Sequence, residues 1–484
     1  MNPLDPMASA PAPAPRALRR RRARPKASSR RARGRGGKLQ RGVALIMVLA
    51  AMSLLYVMAE QIREDTEVYT LAATVERDQL LAETQARSGL NLARVLLHSE
   101  PTLRRAIAPV LVPLMAMMGR GFASPPQIPI WEQSDLLLGP FRGNEGSSML
   151  ADLARLDLAD SRNLGGLTGL APLVIVDEDS KINVNSVTRS SVAQILLGRQ
   201  LTGLFANPAL NPFFEQRDAD GQFTDRTTLI SHVVDYIDFD ETAFDAQTLL
   251  ATTARASSTA PEDSFYQRMR PPYRRRNAPF DSLQELRMVR GLNDDDLWHA
   301  VVDPDPSNPR RRTLTVWGQG AVNVNTANAQ TLLAMVCAYS PDAPQCMDPS
   351  MASQFVTTIT MIQGLTLSMG IPLFSSPANF VATVQGRPPL GTMLTQLGMQ
   401  PFVVRDPASL QRSVSTESKV FSVYSEAQVG RAHVRLHAVI DMRAQPMLPS
   451  TFMRASGMTV APTAEGNLGV VSREGGTLLY WRED

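Results

Sequence analysis

Two textures of hydrophobicity divide this chain. Val43 to Ala59 (VALIMVLAAMSLLYVMA) runs seventeen residues without a charge, and Glu60 ends that run without ending the helix-favouring sequence. At about 1.5 Å per residue the run measures roughly 25 Å, the low end of a bilayer span. An apolar stripe continues through Ile62, Val68, Leu71, Val75, Leu80, Leu81, Leu90, Leu92, Val95 and Leu96. Arg63, Glu64, Glu67, Glu76, Arg77, Asp78 and Arg87 take the other face, which is the spacing of an amphipathic helix. One stem helix is predicted over residues 43–98, its membrane part ending at 59 and its polar part reaching about 100, with Pro101 as the stop.

Further along, the period shortens to two. PLVIVDEDSKINVN (172–185) reads as a strand, an acidic turn at Asp177–Asp179 and a second strand. Residues 313–325 return to strand. Residues 418–442 alternate as an antiparallel hairpin with its turn near Gln428–Gly430, and TLLYWRE near the end reads as a last strand. Helical spacing fills 186–250 and 282–300, and 326–400 is mostly helix and loop. The division that follows is a leader (1–42), a membrane segment (43–59), a stem (60–100), a connector with the first strands (101–185), an inserted α-helical domain (186–312), a strand plus second helical segment (313–417) and C-terminal strands (418–484). The expected fold class is α+β: a long N-terminal helix packed on a small antiparallel sheet, with a large helical insertion.

An internal repeat supports the insertion. Lys181-Ile-Asn-Val-Asn-Ser186 and Ala321-Val-Asn-Val-Asn-Thr326 align at a shift of 140 residues, each followed by an apolar helix. Their Asn, Ser and Thr residues are expected to end a strand and cap that helix. The same motif resembles the start of helix-hairpin-helix and SAM-like modules, so a membrane-anchored DNA-binding competence or type IV pilus protein is the alternative reading. DNA contact there would need a Gly-rich hairpin offering backbone N–H groups to phosphates, and neither copy has one.

Charge settles topology and weakens that alternative. The overall balance is +3, but residues 1–42 hold 13 basic residues and one acid; without them 36 basic residues face 45 acidic ones, a balance of −9. The basic run before Gly42 resists translocation and holds the N-terminus in the cytoplasm. A cleaved secretory signal is the competing account, but Ala59-Glu60 is a poor cleavage site because the helical pattern runs through it. An acidic exported part does not suit nucleic acid. Cys337 and Cys346 are the only cysteines. An oxidising periplasm would let them close the CAYSPDAPQC loop as a disulfide, the other reading being two free thiols.

No catalytic constellation stands out: GxSxG, HExxH, Walker-type and dinucleotide fingerprints are all missing from the sequence. A membrane-anchored periplasmic hydrolase would therefore need a pocket that sequence does not reveal. The best site candidate is acidic. Asp235, Asp238, Asp240 and Glu241 end one helical segment, and Glu262 and Asp263 follow some twenty residues on. Calcium takes oxygens from such carboxylates; a solvated acidic surface is the plainer reading of these residues alone.

Basic leader, glycine, uncharged helix and polar continuation together resemble the type IV pilin pattern. In that family a prepilin peptidase cuts after the glycine, which places the cut after Gly42 and makes Val43 the first mature residue. Most members carry glutamate at the fifth mature position, where this chain has Met47. That departure resembles the K-class minor pseudopilins of type II secretion systems. The acid normally offsets a neighbour's α-amine in apolar surroundings, so Met47 is a tip determinant. YIDFD (236–240), APEDSFY (260–266), PPYRRRNAP (271–279) and SLQELRMVRGL (282–292) follow the K-class order. Ala260-Pro261 departs from the Gly-Ala of that pattern.

The resemblance implies a pilin-like fold with a SAM-like insertion, and calcium held by Asp238, Asp240, Glu262 and Asp263, with Asp235 as an outside choice. It implies a non-enzymatic structural role at the tip of a pseudopilus. Expected partners are other minor pseudopilins, the prepilin peptidase and the inner-membrane secretion platform, and no nucleic acid. The expected location is the bacterial inner membrane, single-pass, with the C-terminal domain in the periplasm.

Overall fold

A computed structural model describes residues 39–117, 126–134, 173–217, 223, 225–240, 242–250, 266–268, 271–368, 371–443 and 476–484. The chain divides into two compact units, residues 1–73 and 74–484.

In the first unit the described chain is the opening of helix α1 (Leu39–Met117). Its apolar side chains are exposed: Leu45, Ile46, Met47, Leu49, Met52, Leu54 and Leu55 are all more than half accessible. The helix is long and apolar enough to cross a membrane and fits a single-pass anchor.

In the second unit the stem part of α1 lies on a four-stranded antiparallel sheet. The strands are β1 (Leu173–Asp177), β6 (Val420–Val429), β7 (Ala432–Asp441) and β8 (Thr477–Glu483), in the order β1-β6-β7-β8. The hairpin forms where alternation predicts it. Segment 172–185 does not fold back on itself: β1 pairs with β6, Leu173 opposite Ser425. The second segment, β2 (Ile182–Asn183), pairs in parallel with β3 (Leu314–Thr315).

The stem corrects two expectations. Its buried face is made by Ala82, Ala86, Leu90, Ala93 and Leu97, packed on Leu173, Ile175, Phe421, Val423, Leu436, Ala438 and Ile440. Leu80, Leu81 and Val95, which the larger apolar stripe predicts inward, are exposed. Small side chains let the helix backbone approach the sheet; at Gly89 an added Cβ would collide with Ser425 Oγ. Pro101 does not stop the helix, which runs on through Pro101, Pro109 and Pro113 to Met117. Proline removes one backbone hydrogen bond and crowds the preceding turn, but this stretch gains tertiary contacts. Leu103 and Ile107 pack against the sheet core. Arg104 bonds Glu100 at 3.1 Å and Glu417 at 2.8 Å.

The helical region is built from two similar halves around a second, larger core and runs past the expected boundary at 312. The first holds α2 (Ser191–Phe205) and α3 (Arg226–Ile237); the second holds α4 (Ala329–Cys337) and α5 (Pro349–Ser368). In the second half β4 (Val322–Asn323) pairs in parallel with β5 (Val414–Ser415), as β2 does with β3 in the first. Asn183 and Asn323 each accept from the N–H two residues on, at 3.0 Å. Asn185 Nδ2 donates to the Phe280 carbonyl while its Oδ1 accepts the Phe280 N–H, both at 2.8 Å. Asn325 grips Phe374 in the same two-way manner, at 3.1 and 2.7 Å. Asn185 and Asn325 therefore pin a distant loop, Asn183 caps the short 3-10 helix Val184–Arg189, and the α-helices that follow are capped by other residues. Ser190 caps α2 and Asn328 caps α4.

Cys337 and Cys346 are disulfide-bonded, their Cα atoms 5.8 Å apart. The bond links the end of α4 to the short helix Pro344–Met347.

The acidic turn after β1 is the buried joint between sheet and insertion. Asp177 accepts from the hydroxyls of Thr326 and Ser418. Asp179 Oδ2 accepts from the Lys419 and Val420 amides at 2.7 and 3.1 Å, and its Oδ1 from Gln319 N at 2.7 Å. Glu178 pairs with Lys181 at 2.8 Å, both fully enclosed. Burial pushes both aspartates above the usual carboxylate range, and for Asp177 the neighbouring charge of Asp179 adds to it.

Candidate functional site

The candidate site forms where α3 ends. Asp225 caps the start of α3 by accepting from Thr228 N at 2.6 Å. At the other end the chain turns out at Asp238, whose N–H still reaches Val234 O at 3.1 Å. The exposed C-terminal carbonyls of a helix carry partial negative charge, and a guanidinium meets them here. Arg275 donates to Asp235 O at 3.1 Å and to Asp240 O at 3.0 Å. Asn277, in the left-handed region at φ 48°, sends its N–H to Tyr236 O at 3.1 Å. The RRRN stretch thus binds the end of α3 from behind.

Aromatic rings fasten the surroundings. Tyr236 stacks on Phe280 with centroids 5.6 Å apart and meets Tyr266 edge-on at 5.4 Å. Tyr266 also contacts Tyr273 at 5.2 Å. Tyr236, Tyr266 and Tyr273 come from three of the four motifs, and with Phe280 they close the cluster on which the acids sit.

The three described acids are in different states. Asp235 is spoken for, its Oδ1 accepting from Phe244 N at 2.7 Å. Burial, opposed by that bond and by Arg275, pushes its carboxyl up to about 7. Asp238 is only 2% exposed. Burial first, then the charges of Asp240 and Asp235, push it up to about 8 against the pull of Arg275. Its buried Oδ1 accepts no hydrogen bond, and Arg275 Nη1 stands 3.7 Å away. Asp240 is exposed. Burial works against its charge, but bonds from Thr242 and Gln194 hold its carboxyl below the usual range.

Gln194, in the first turn of α2, reaches across to this group. Its Nε2 lies 3.3 Å from Asp238 Oδ2 and 3.5 Å from Asp240 Oδ2. Neither Gln194 nor the anchoring Arg275 was singled out from sequence. Arg275 is hidden in a run of three arginines, and Gln194 lies 44 residues from Asp238. Glu262 and Asp263 lie outside the described residues. Among the described residues no three His, Cys, Asp or Glu side chains are arranged to hold a metal. Asp238 and Asp240 share Gln194, whereas Asp235 is turned to the backbone of Phe244.

A buried carboxylate oxygen without a donor, beside a second carboxylate and an amide, suits a hard cation that takes oxygen ligands. Hydrolytic chemistry has no comparable support in the residues around α3: His232, the histidine on that helix, is driven down to about 4 by burial and by Arg290.

A long helix on a small antiparallel sheet, with a helical insertion, is a pilin-like α+β fold. Within it, residues 180–299 match the family model described as Type II secretion system (T2SS), protein K. The matched stretch contains α2, α3, the acidic group and the RRRN stretch, and the K-class resemblance holds there. The chain is also similar to a chain in the crystal structure of the GspK-GspI-GspJ complex from the enterotoxigenic Escherichia coli Type 2 Secretion System. The identity is 17%, covering 57% of this chain and 76% of that one, with a TM-score of 0.36. At that score the likeness carries no argument. No curated protein matches the chain.

Proposed function

We propose that this chain is a minor pseudopilin of type II secretion that caps the tip of the pseudopilus, a structural rather than catalytic part of protein export. The observation that carries the reading is the protein K match over residues 180–299 in a chain whose N-terminal apolar helix is fully exposed. Other minor pseudopilins are the partners, and the prepilin peptidase and inner-membrane platform act on its leader and anchor. The domain after the stem lies in the periplasm.

Met47 supports placement at the tip. A subunit without the fifth-position carboxylate offers no partner to the α-amine of a neighbour stacked above it, and the bulky insertion would obstruct that neighbour. Calcium is the cation assigned to the acidic group. Asp238 and Asp240 supply two carboxylates from the end of α3, and Glu262 and Asp263 supply two more across the intervening loop. The bound ion would cancel the repulsion among them and fasten the loop to α3.

The test is N-terminal sequencing of the mature protein extracted from membranes. The expected first residue is Val43, and bulky substitutions of Gly42 should block maturation. A start near Glu60 would mean an ordinary secreted protein and would sink the pseudopilin reading. Met47→Glu should change fibre length; finding the subunit spaced along the fibre would remove the tip assignment.

A further inference from the structure

We infer that Gln194 is a switching ligand of the acidic site: its carboxamide donates to Asp238 and Asp240 in the metal-free protein and turns over to present Oε1 to a bound calcium ion. The inference rests on the calcium reading above and deepens it.

Gln194 is held at a fixed place. Its backbone N–H bonds Ser190 O at 3.0 Å in the first turn of α2, and its side chain is half-buried. From there Nε2 sits between two carboxylates of the other helix end, 3.3 Å from one oxygen and 3.5 Å from the other. Both distances are long for N–H···O bonds, so the amide bridges the pair loosely. Asp238 Oδ1 is buried and accepts no hydrogen bond, its nearest cationic partner being Arg275 Nη1 at 3.7 Å.

A cation entering between these carboxylates meets the N–H face of the amide, which has the wrong sign. Rotation about the last side-chain bond exchanges the amide nitrogen for the oxygen, because the two ends of a carboxamide are nearly the same size. No backbone motion is needed. The oxygen is then a neutral ligand of the kind calcium accepts at about 2.3–2.6 Å. An Oε1 ligand from α2 and carboxylates from the end of α3 would tie the two helices through the ion. The ion therefore acts on the pair α2 and α3.

The two roles of Gln194 predict opposite signs. If its nitrogen only competes with the ion, removing the amide strengthens calcium binding. If its oxygen ligates, removal weakens it. The experiment titrates calcium chloride into the full-length protein in detergent after chelator treatment, by calorimetry and by thermal melting, for the parent, Gln194→Met and Gln194→Glu. Gln194→Met should bind calcium roughly tenfold more weakly, the scale of losses when a metal's supporting shell is cut. Gln194→Glu should bind at least as tightly as the parent, while melting lower in chelator from the added like charge. Unchanged or tighter binding by Gln194→Met overturns the switching role while leaving the calcium site standing. A folded parent that takes up no calcium overturns the calcium reading, and this inference with it.

Discussion

The two halves of the insertion begin alike and finish differently. Each starts with a parallel two-residue strand pair, an asparagine pinning a phenylalanine, and an apolar helix. In the first half, α3 leads into carboxylates, arginines and a long connection to Phe280. In the second, α5 reaches Ser368 and Phe374 is six residues further on. From Thr313 to Val404 the only charged residues are Asp342, Asp348 and Arg387, and a disulfide ties the end of α4. One scaffold is thus completed once by ionic groups and once by apolar packing with a covalent link. The difference teaches that closure of this unit is not fixed by its helices; it depends on what the connecting segment carries.

The largest effect should come from the seam between the halves. Gly203 of α2 lies against the backbone of α4, and an added Cβ would collide with Ala334 O and Ala338 N. Backbone cannot yield as a flexible side chain does, so Gly203→Ala should cost about 3 kcal/mol, the upper range of overpacking. Thermal melting checks it. A change below about 0.5 kcal/mol, the surface range, would mean that the halves do not meet closely.

Next comes the ionic closure. Binding to the folded form alone adds about 2.7 kcal/mol at a hundredfold excess over Kd. Chelator should therefore lower the melting temperature, proteolysis should begin near residues 245–262, and Asp240→Ala should remove most of the calcium effect. Identical melting and cleavage with calcium and chelator would overturn the calcium reading. The covalent closure is similar in size. Removing it with Cys337→Ser and Cys346→Ser should cost about 2–3 kcal/mol by the loop-entropy rule. The calcium response should survive, since the disulfide belongs to the other half. Loss of calcium binding in that variant would break the separation drawn here.

The last prediction concerns the joint both halves share with the sheet. Burial raises the Asp177 carboxyl from 3.8 to about 8. A carboxylate raised in the folded state binds its proton more tightly there than in the unfolded chain. Its contribution is full below pH about 4 and is lost as pH climbs towards 8. Asp177→Asn keeps the shape and cannot ionise, so the decline in melting temperature across that window should flatten. An unchanged slope would show that Asp177 does not carry this pH dependence.

Much of this protein was legible because it is local. A charge-free run after a basic stretch specifies an anchor, alternation over 418–442 specifies a hairpin, and two NVN copies announce a duplicated unit. Spacing of two to four residues is enough for each. The acidic group was partly legible: Asp238 and Asp240 share a donor as neighbouring acids would, but that donor is on another helix.

What tertiary structure alone decided has one physical cause, namely partners distant in sequence. The stem's buried face follows the alanines and Gly89 because β6 comes close at Ser425, which helical periodicity cannot weigh. The helix passes Pro101 because Glu417 waits for Arg104, more than three hundred residues on. β1 chose β6 over its own neighbour β2, and Asp177 took its hydroxyl donors from Thr326 and Ser418. The sequence by itself determined which segments would be helix, strand or membrane anchor, because backbone sterics and hydrophobic period act over a few residues. Which faces met, and which acids were buried side by side, depended on a packing energy that exists only once the distant segments are in contact.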